Sequence, residues 1–125
     1  MMESRLFLLL GAIGGFFAVA FGAFGAHALR EILSPGLLEV FRTGVHYQAT
    51  HSLALLAVGL LIRDEDCLSY RVAGWGFSLG ILLFSGSLYV MAIVDAPWLG
   101  AITPFGGAAF LVGWSALAWG LFRLR

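Results

Sequence analysis

The amino-acid sequence predicts an all-α, polytopic membrane protein: a four-transmembrane-helix bundle whose second helix has an amphipathic first half. Three observations lead there. Hydrophobic residues make up 61% of the 125-residue chain and charged ones 11%, against about 45–50% and about 25% in soluble domains; a domain this small cannot bury the excess. The apolar residues gather into runs long enough to cross hydrocarbon. The runs are continuous rather than alternating, which excludes a membrane barrel and leaves helices to satisfy the backbone in lipid. One membrane domain over 1–125 is expected, with spans at about 6–26, 45–62, 72–94 and 104–122.

The first span, Leu6 to Ala26, is 21 residues without a charge, about 31 Å of helix and the thickness of a hydrocarbon core. A cleavable signal peptide is the rival, since Arg5 precedes the run and Gly25-Ala26-His27-Ala28 offers small residues. Signal cores are about 7–15 residues long, so retention is expected. Ser34-Pro35 then reads as an N-cap followed by proline at the first helical position. At 100° per residue, Glu39, Arg42, Thr43, His46, Tyr47, Thr50 and His51 occupy about half of the second helix's circumference, opposite Leu38, Phe41 and Val45. Leu53 to Ile62 is wholly apolar, so this helix starts at the interface and enters the membrane, carrying Tyr47, Gln48 and His51 inward.

Arg63-Asp64-Glu65-Asp66 ends the second span as a solvated loop. Val72 to Val94 follows without a formal charge, and Asp95, Pro97 and Trp98 mark its exit at headgroup level. Thr103-Pro104 repeats the cap-plus-proline signal and opens the fourth span, which runs to Phe122. Four spans bring both termini to the side of the 63–71 loop. Arg5, Arg63, Arg71, Arg123 and Arg125 lie there against Arg30 and Arg42 opposite, so the positive-inside rule expects cytoplasmic termini.

Seven arginines balance seven acidic residues, which leaves no basic stripe and argues against a nucleic-acid partner. Cys67 is the single cysteine, which excludes an internal disulfide and cannot by itself build a thiolate metal site; it reads as a bystander thiol in a polar loop. Gly106, Ala109, Gly113, Ala116 and Gly120 form a small-residue stripe, with Gly11 to Gly15 and Gly76 to Gly80 as further small pairs. Such residues let helices approach closely in lipid; packing within the chain is the plainer use, an intermolecular face the alternative.

The candidate site residues are few. His51 is the strongly titratable residue within the hydrocarbon, where ionisable groups suggest function; the plainer reading makes it interhelical glue, hydrogen-bonded to hydroxyls such as Tyr47, Ser85 or Ser87. His46 and His51 are five apart, about 140° around a helix, so no metal site is expected even with His27 added. The Phe84-Ser85-Gly86-Ser87-Leu88-Tyr89 segment offers two hydroxyls, but no carboxylate in the spans could orient a histidine base, so a bend or a hydrogen-bonded contact is expected rather than a triad. The 101–107 loop has no phosphate-cradle spacing and reads as a tight turn. No catalytic residue and no cofactor is indicated. The candidate binding set is His27, Arg42, Tyr47, Gln48, His51, Ser85, Ser87 and Tyr89.

Gly22-Ala23-Phe24-Gly25-Ala26-His27-Ala28-Leu29, Tyr47-Gln48 with His51, Phe84 to Tyr89, and Thr103-Pro104 with Gly106-Gly107, Phe110 and Gly113-Trp114 together resemble the YgdD-like family of small, uncharacterised bacterial inner-membrane proteins. The resemblance covers nearly the whole chain. It implies four spans and an inner-membrane location, and it transfers no catalytic residue, because the family has no established activity. His27, Gln48 and His51 match its shared signatures; His46 falls where relatives are expected to vary.

Function is then expected to be non-enzymatic: an accessory subunit of a membrane complex, or a lipid- or small-molecule-binding module. Its partners would be membrane lipids, with other membrane-protein subunits or self-association besides. A small oligomeric transporter or channel lined by Gln48, His51, Ser85 and Tyr89 is the alternative. A membrane enzyme comes third, with His51 as base and Arg42 on an anionic lipid headgroup.

Overall fold

The computed structural model describes residues 1–124; Arg125, counted above with the terminal-side arginines, lies outside the described residues. Four helices are long and apolar enough to cross a membrane: α1 (Met2–Leu29), α2 (Pro35–Asp64), α3 (Leu68–Val94) and α4 (Pro97–Phe122). The helices overlap the stretches read from the sequence and run longer at one or both ends. Ser34 caps α2 as its sequence predicts, its Oγ accepting from the Leu37 N–H at 3.2 Å with Pro35 at the first helical position.

α2 and α3 form the central pair, α1 lies along α2, and α4 lies along α3. The larger core joins Phe7 of α1, Leu55 and Val58 of α2, Tyr70 and Phe77 of α3, and Phe110 and Leu117 of α4. Small residues set the distances between helices, as expected where lipid supplies no hydrophobic drive and van der Waals approach must hold the bundle. A Cβ on Gly76 would stand 2.9 Å from the Ala109 carbonyl and from Gly113 Cα, and one on Gly11 2.8 Å from the Ser52 carbonyl. The α4 stripe is thus a seam within the chain. Gly15, by contrast, faces open space; Gly11 and Gly14 carry the α1 contact instead.

Three features depart from the sequence reading. Thr103 does not cap α4. It lies inside a helical path that begins with a 3₁₀ turn at Pro97–Ala101, so no open turn precedes the span. Two wide π-turns interrupt the spans, Ala20–Gly25 in α1 and Ile81–Ser85 in α3; such turns often sit where a helix is re-aimed for a specific contact. And Tyr47, expected to be carried inward with Gln48 and His51, stands exposed alongside Glu39, Arg42, Thr43, His46 and Thr50, whereas Gln48 and His51 are buried. α3 ends at Asp95, which takes the left-handed conformation (φ 52°) that short polar side chains tolerate at a helix C-terminus.

Candidate functional site

Two hydrogen-bonded groups lie on neighbouring faces of α2, apart from a bond of Ser4 Oγ to the Gly59 carbonyl at 2.7 Å that ties α1 to α2 further along. Gly44, Gln48, His51 and Ser52 all turn inward, the spacing of one buried helical face. On the side toward α1 and α3, Tyr89 Oη donates to Gln48 Oε1 at 2.6 Å, and Gln48 Nε2 donates to the Gly14 carbonyl at 2.8 Å. One glutamine therefore joins three helices. Next to it Ser85, fully buried at the end of the α3 π-turn, donates to the Gly44 carbonyl at 2.7 Å. Phe21 and Phe41 pack on the Tyr89 ring, with centroids 5.3 and 5.2 Å away.

On the side toward α4, His51 is 4% exposed and lies almost flat on Phe110, with ring centroids 3.6 Å apart. Trp114 Nε1 donates to His51 Nε2 at 3.0 Å, and His51 Nδ1 lies 2.6 Å from the Tyr47 carbonyl. An indole nitrogen only donates and a carbonyl oxygen only accepts. Nε2 must therefore be bare and Nδ1 protonated: His51 is a neutral imidazole in one tautomer, with both nitrogens occupied. A base that must take a proton has no free nitrogen here.

These contacts correct the expected partners of His51. Neither Ser85 nor Ser87 reaches it; Ser87 Oγ donates to the Phe84 carbonyl at 2.9 Å and shares a 2.6 Å hydrogen bond with Thr103 Oγ1. Tyr47 contributes its carbonyl, while its ring sits at the bundle edge, 39% exposed, rather than inside. His27 and Arg42 fall outside both groups. His27 is exposed at the end of α1, and Arg42 is exposed and paired with Glu39 at 3.3 Å. The candidate set is therefore split: Gln48, Ser85 and Tyr89 in one group, His51 in the other, Ser87 tying α3 to α4, and His27 and Arg42 separate. Among the described residues no three His, Cys, Asp or Glu side chains converge on a common point.

Trp114, Phe110 and the Gly14 and Gly44 carbonyls are the partners that sequence reasoning missed. A signal existed for Trp114. Tryptophan prefers the headgroup belt, so one placed mid-span needs an acceptor for its N–H.

The hollows of the molecule open outward. Two apolar grooves run along the lipid-facing side of α3 and α4, and a more polar hollow lies at the end that carries the 65–67 segment and residues 119–124. The charges at that end are organised around Arg71, which donates through Nε to Asp66 Oδ1 at 2.8 Å and through a second nitrogen to the other carboxylate oxygen, with Glu3 3.6 Å away. The hydrogen bond from Arg71 holds the Asp66 carboxyl below its ordinary pKa.

A family profile described as protein of unknown function, DUF423, matches residues 21–107. The UPF0382 membrane protein of Haemophilus influenzae is 46% identical over 120 residues, covering 95% of each chain. A UPF0382 membrane protein of Staphylococcus saprophyticus is 42% identical across 96% of this chain and 99% of its own. The UPF0382 inner membrane protein YgdD of Escherichia coli is 38% identical across 99% of this chain and 95% of its own, in keeping with the resemblance read from the motifs. No solved structure matches.

Proposed function

Since the chain belongs to the DUF423 family, whose relatives above are membrane proteins without an assigned activity, we propose its role from its geometry: a non-enzymatic, multi-pass module of the bacterial inner membrane that binds membrane lipid on its outer face, alone or as an accessory subunit. One observation carries this reading. Gln48, Ser85 and Tyr89 are hydrogen-bonded across helices and His51 is saturated, with Ser52 Oγ and Tyr70 Oη the buried hydroxyls left without a partner among the described residues, while the grooves along α3 and α4 open to the outside of the bundle. Polar groups that line a path or a reaction site keep a lone pair or a proton available; the core here is arranged as structure and the outside as a binding surface.

The rival readings draw less support. A transport path along Gln48, Ser85 and Tyr89 would have to break bonds that join α1, α2 and α3. A headgroup enzyme needs Arg42 and His51 on one face, and the first is exposed while the second is buried under Phe110. The excess of arginine at the end that carries both termini favours a cytoplasmic side for them. Native mass spectrometry of the detergent-extracted protein tests the proposal: retained lipid or a copurifying membrane subunit is expected, and a bare chain with neither would overturn it.

A further inference from the structure

The geometry points to a single site on α3 and α4 for one diacyl phospholipid whose headgroup carries both a phosphate and a primary ammonium. This inference rests on the lipid-binding reading above and names the lipid class and its seat. The three hollows adjoin one another. The polar one, about 830 Å³, and the two apolar grooves, about 530 and 480 Å³, all share Leu68 in their walls, and Val72 and Val112 form the ridge common to both grooves. A polar hollow flanked at one residue by two open apolar grooves matches the layout of a headgroup with two acyl chains. The grooves exist because small residues form their floors, Gly76 and Ala109 in one and Ser115 and Ala116 in the other.

Charge selects the headgroup. The polar hollow holds one guanidinium, Arg123, and one carboxylate, Glu65, with the Ser69 hydroxyl in the same wall. Among the described residues neither charge has an ion-pair partner within 4.0 Å; Arg123 lies over the Trp119 ring, 5.8 Å from its centroid, which leaves its N–H donors free for a phosphate. Glu3, in the wall of the smaller groove, is already ion-paired with Arg71 at 3.6 Å, so the ammonium is left to Glu65. Within the polar hollow itself an anionic lipid lacking an amine would satisfy Arg123 but would bring its negative charge against Glu65, the one carboxylate in that wall. A phosphate paired with an ammonium satisfies the guanidinium and supplies donors to the carboxylate.

The test uses the full-length protein in nanodiscs containing equal amounts of phosphatidylethanolamine and phosphatidylglycerol with identical chains, released and weighed by native mass spectrometry. One bound phosphatidylethanolamine is expected, favoured about fivefold, the equivalent of about 1 kcal/mol. Arg123→Gln and Glu65→Gln, both at exposed positions, should each bring that preference close to unity with helicity unchanged. Ala116→Trp, which fills one groove, should lower the occupancy of both lipids. Equal binding of the two lipids by the wild type, a preference for phosphatidylglycerol, or a preference untouched by both headgroup variants overturns the headgroup assignment while leaving the lipid-binding reading in place. No retained lipid and no copurifying membrane subunit overturns both.

Discussion

Replacing Trp114 with phenylalanine removes one hydrogen atom's worth of function from the α2–α4 contact and leaves most of its packing. The indole N–H is the donor to His51 Nε2 at 3.0 Å, and the ring also packs on Phe77 with centroids 4.8 Å apart, a contact phenylalanine can keep. Interhelical hydrogen bonds in membranes are worth about 0.6 kcal/mol on average and up to about 1.7. Leaving His51 Nε2 bare in a dry site costs about 1–3 kcal/mol, and the two effects overlap, so Trp114→Phe should destabilise by about 1–2 kcal/mol. His51→Phe should cost a similar amount by orphaning the indole N–H, since the Tyr47 carbonyl keeps its own helical partner. The double variant replaces both partners with apolar rings and should recover much of the loss. The assay is reversible unfolding in mixed micelles with increasing dodecyl sulfate, followed by far-ultraviolet circular dichroism. Single effects that simply add in the double variant, to within about 0.5 kcal/mol, would refute the assigned bond. Nitrogen-15 spectra of labelled histidine give an independent check: His51 should show a protonated Nδ1 and a bare Nε2, and the reverse tautomer would contradict the geometry.

Tyr89→Phe leaves Gln48 Oε1 without its donor and should lower stability by about 1 kcal/mol, with Gln48→Leu added to it restoring part of the loss; an unaffected single variant in the same unfolding assay would remove Gln48 as the joint of three helices. Gly76→Ala, whose Cβ would press on the backbone at Ala109 and Gly113, should cost about 1–3 kcal/mol, whereas Gly15→Ala meets nothing within 4 Å and should be neutral or stabilising by up to about 1 kcal/mol. Asp66 has its carboxyl pKa depressed by Arg71, so its tie to Arg71 should persist from neutral pH down through the ordinary carboxylate range near about 4 and loosen only as pH falls below it. An Arg71 Nε–H resonance that broadens or shifts at a higher pH would speak against the pair. Cys67 lies at the end that carries both termini and should react with a membrane-impermeant maleimide in inverted vesicles but not in intact cells; the opposite pattern would reverse the orientation.

The helices were legible because lipid imposes a strict rule on sequence. A charge-free run near 20 residues has few fates, so Leu6 to Ala26 and Val72 to Val94 announce their spans without any knowledge of neighbours, and the Ser34-Pro35 cap is readable because it is local. The inward placement of Gln48 and His51 was legible on the same ground. Their partners were not. Helical phase gives the direction of a side chain but not which helix stands opposite, and hydroxyls at Ser85 and Ser87 looked as available to His51 as the indole of Trp114. Thr103 misled for a related reason: a threonine before proline has the local signature of a cap, but the 3₁₀ turn at Pro97–Ala101 had already begun the helix, and its hydroxyl went to Ser87.

The bond between Ser85 and Gly44 shows what decided those pairings. Ser85 reaches the Gly44 carbonyl only because α2 and α3 approach closely there, and they do so because Gly44 has no Cβ; one would stand 2.7 Å from the Tyr89 ring. Yet the glycine alone does not aim Ser85. The wide π-turn at Ile81–Ser85 adds a residue to its turn and rotates the rest of α3 by about 100° relative to an unbroken helix. Ser85 and Tyr89 both lie at or beyond that turn, and both bond to α2. Small residues fix how near two helices come, whereas π-turns fix what they then present to each other, and only the first leaves a mark in composition. The polar contacts of Ser85 and Tyr89 with α2 therefore depend on backbone geometry at 81–85.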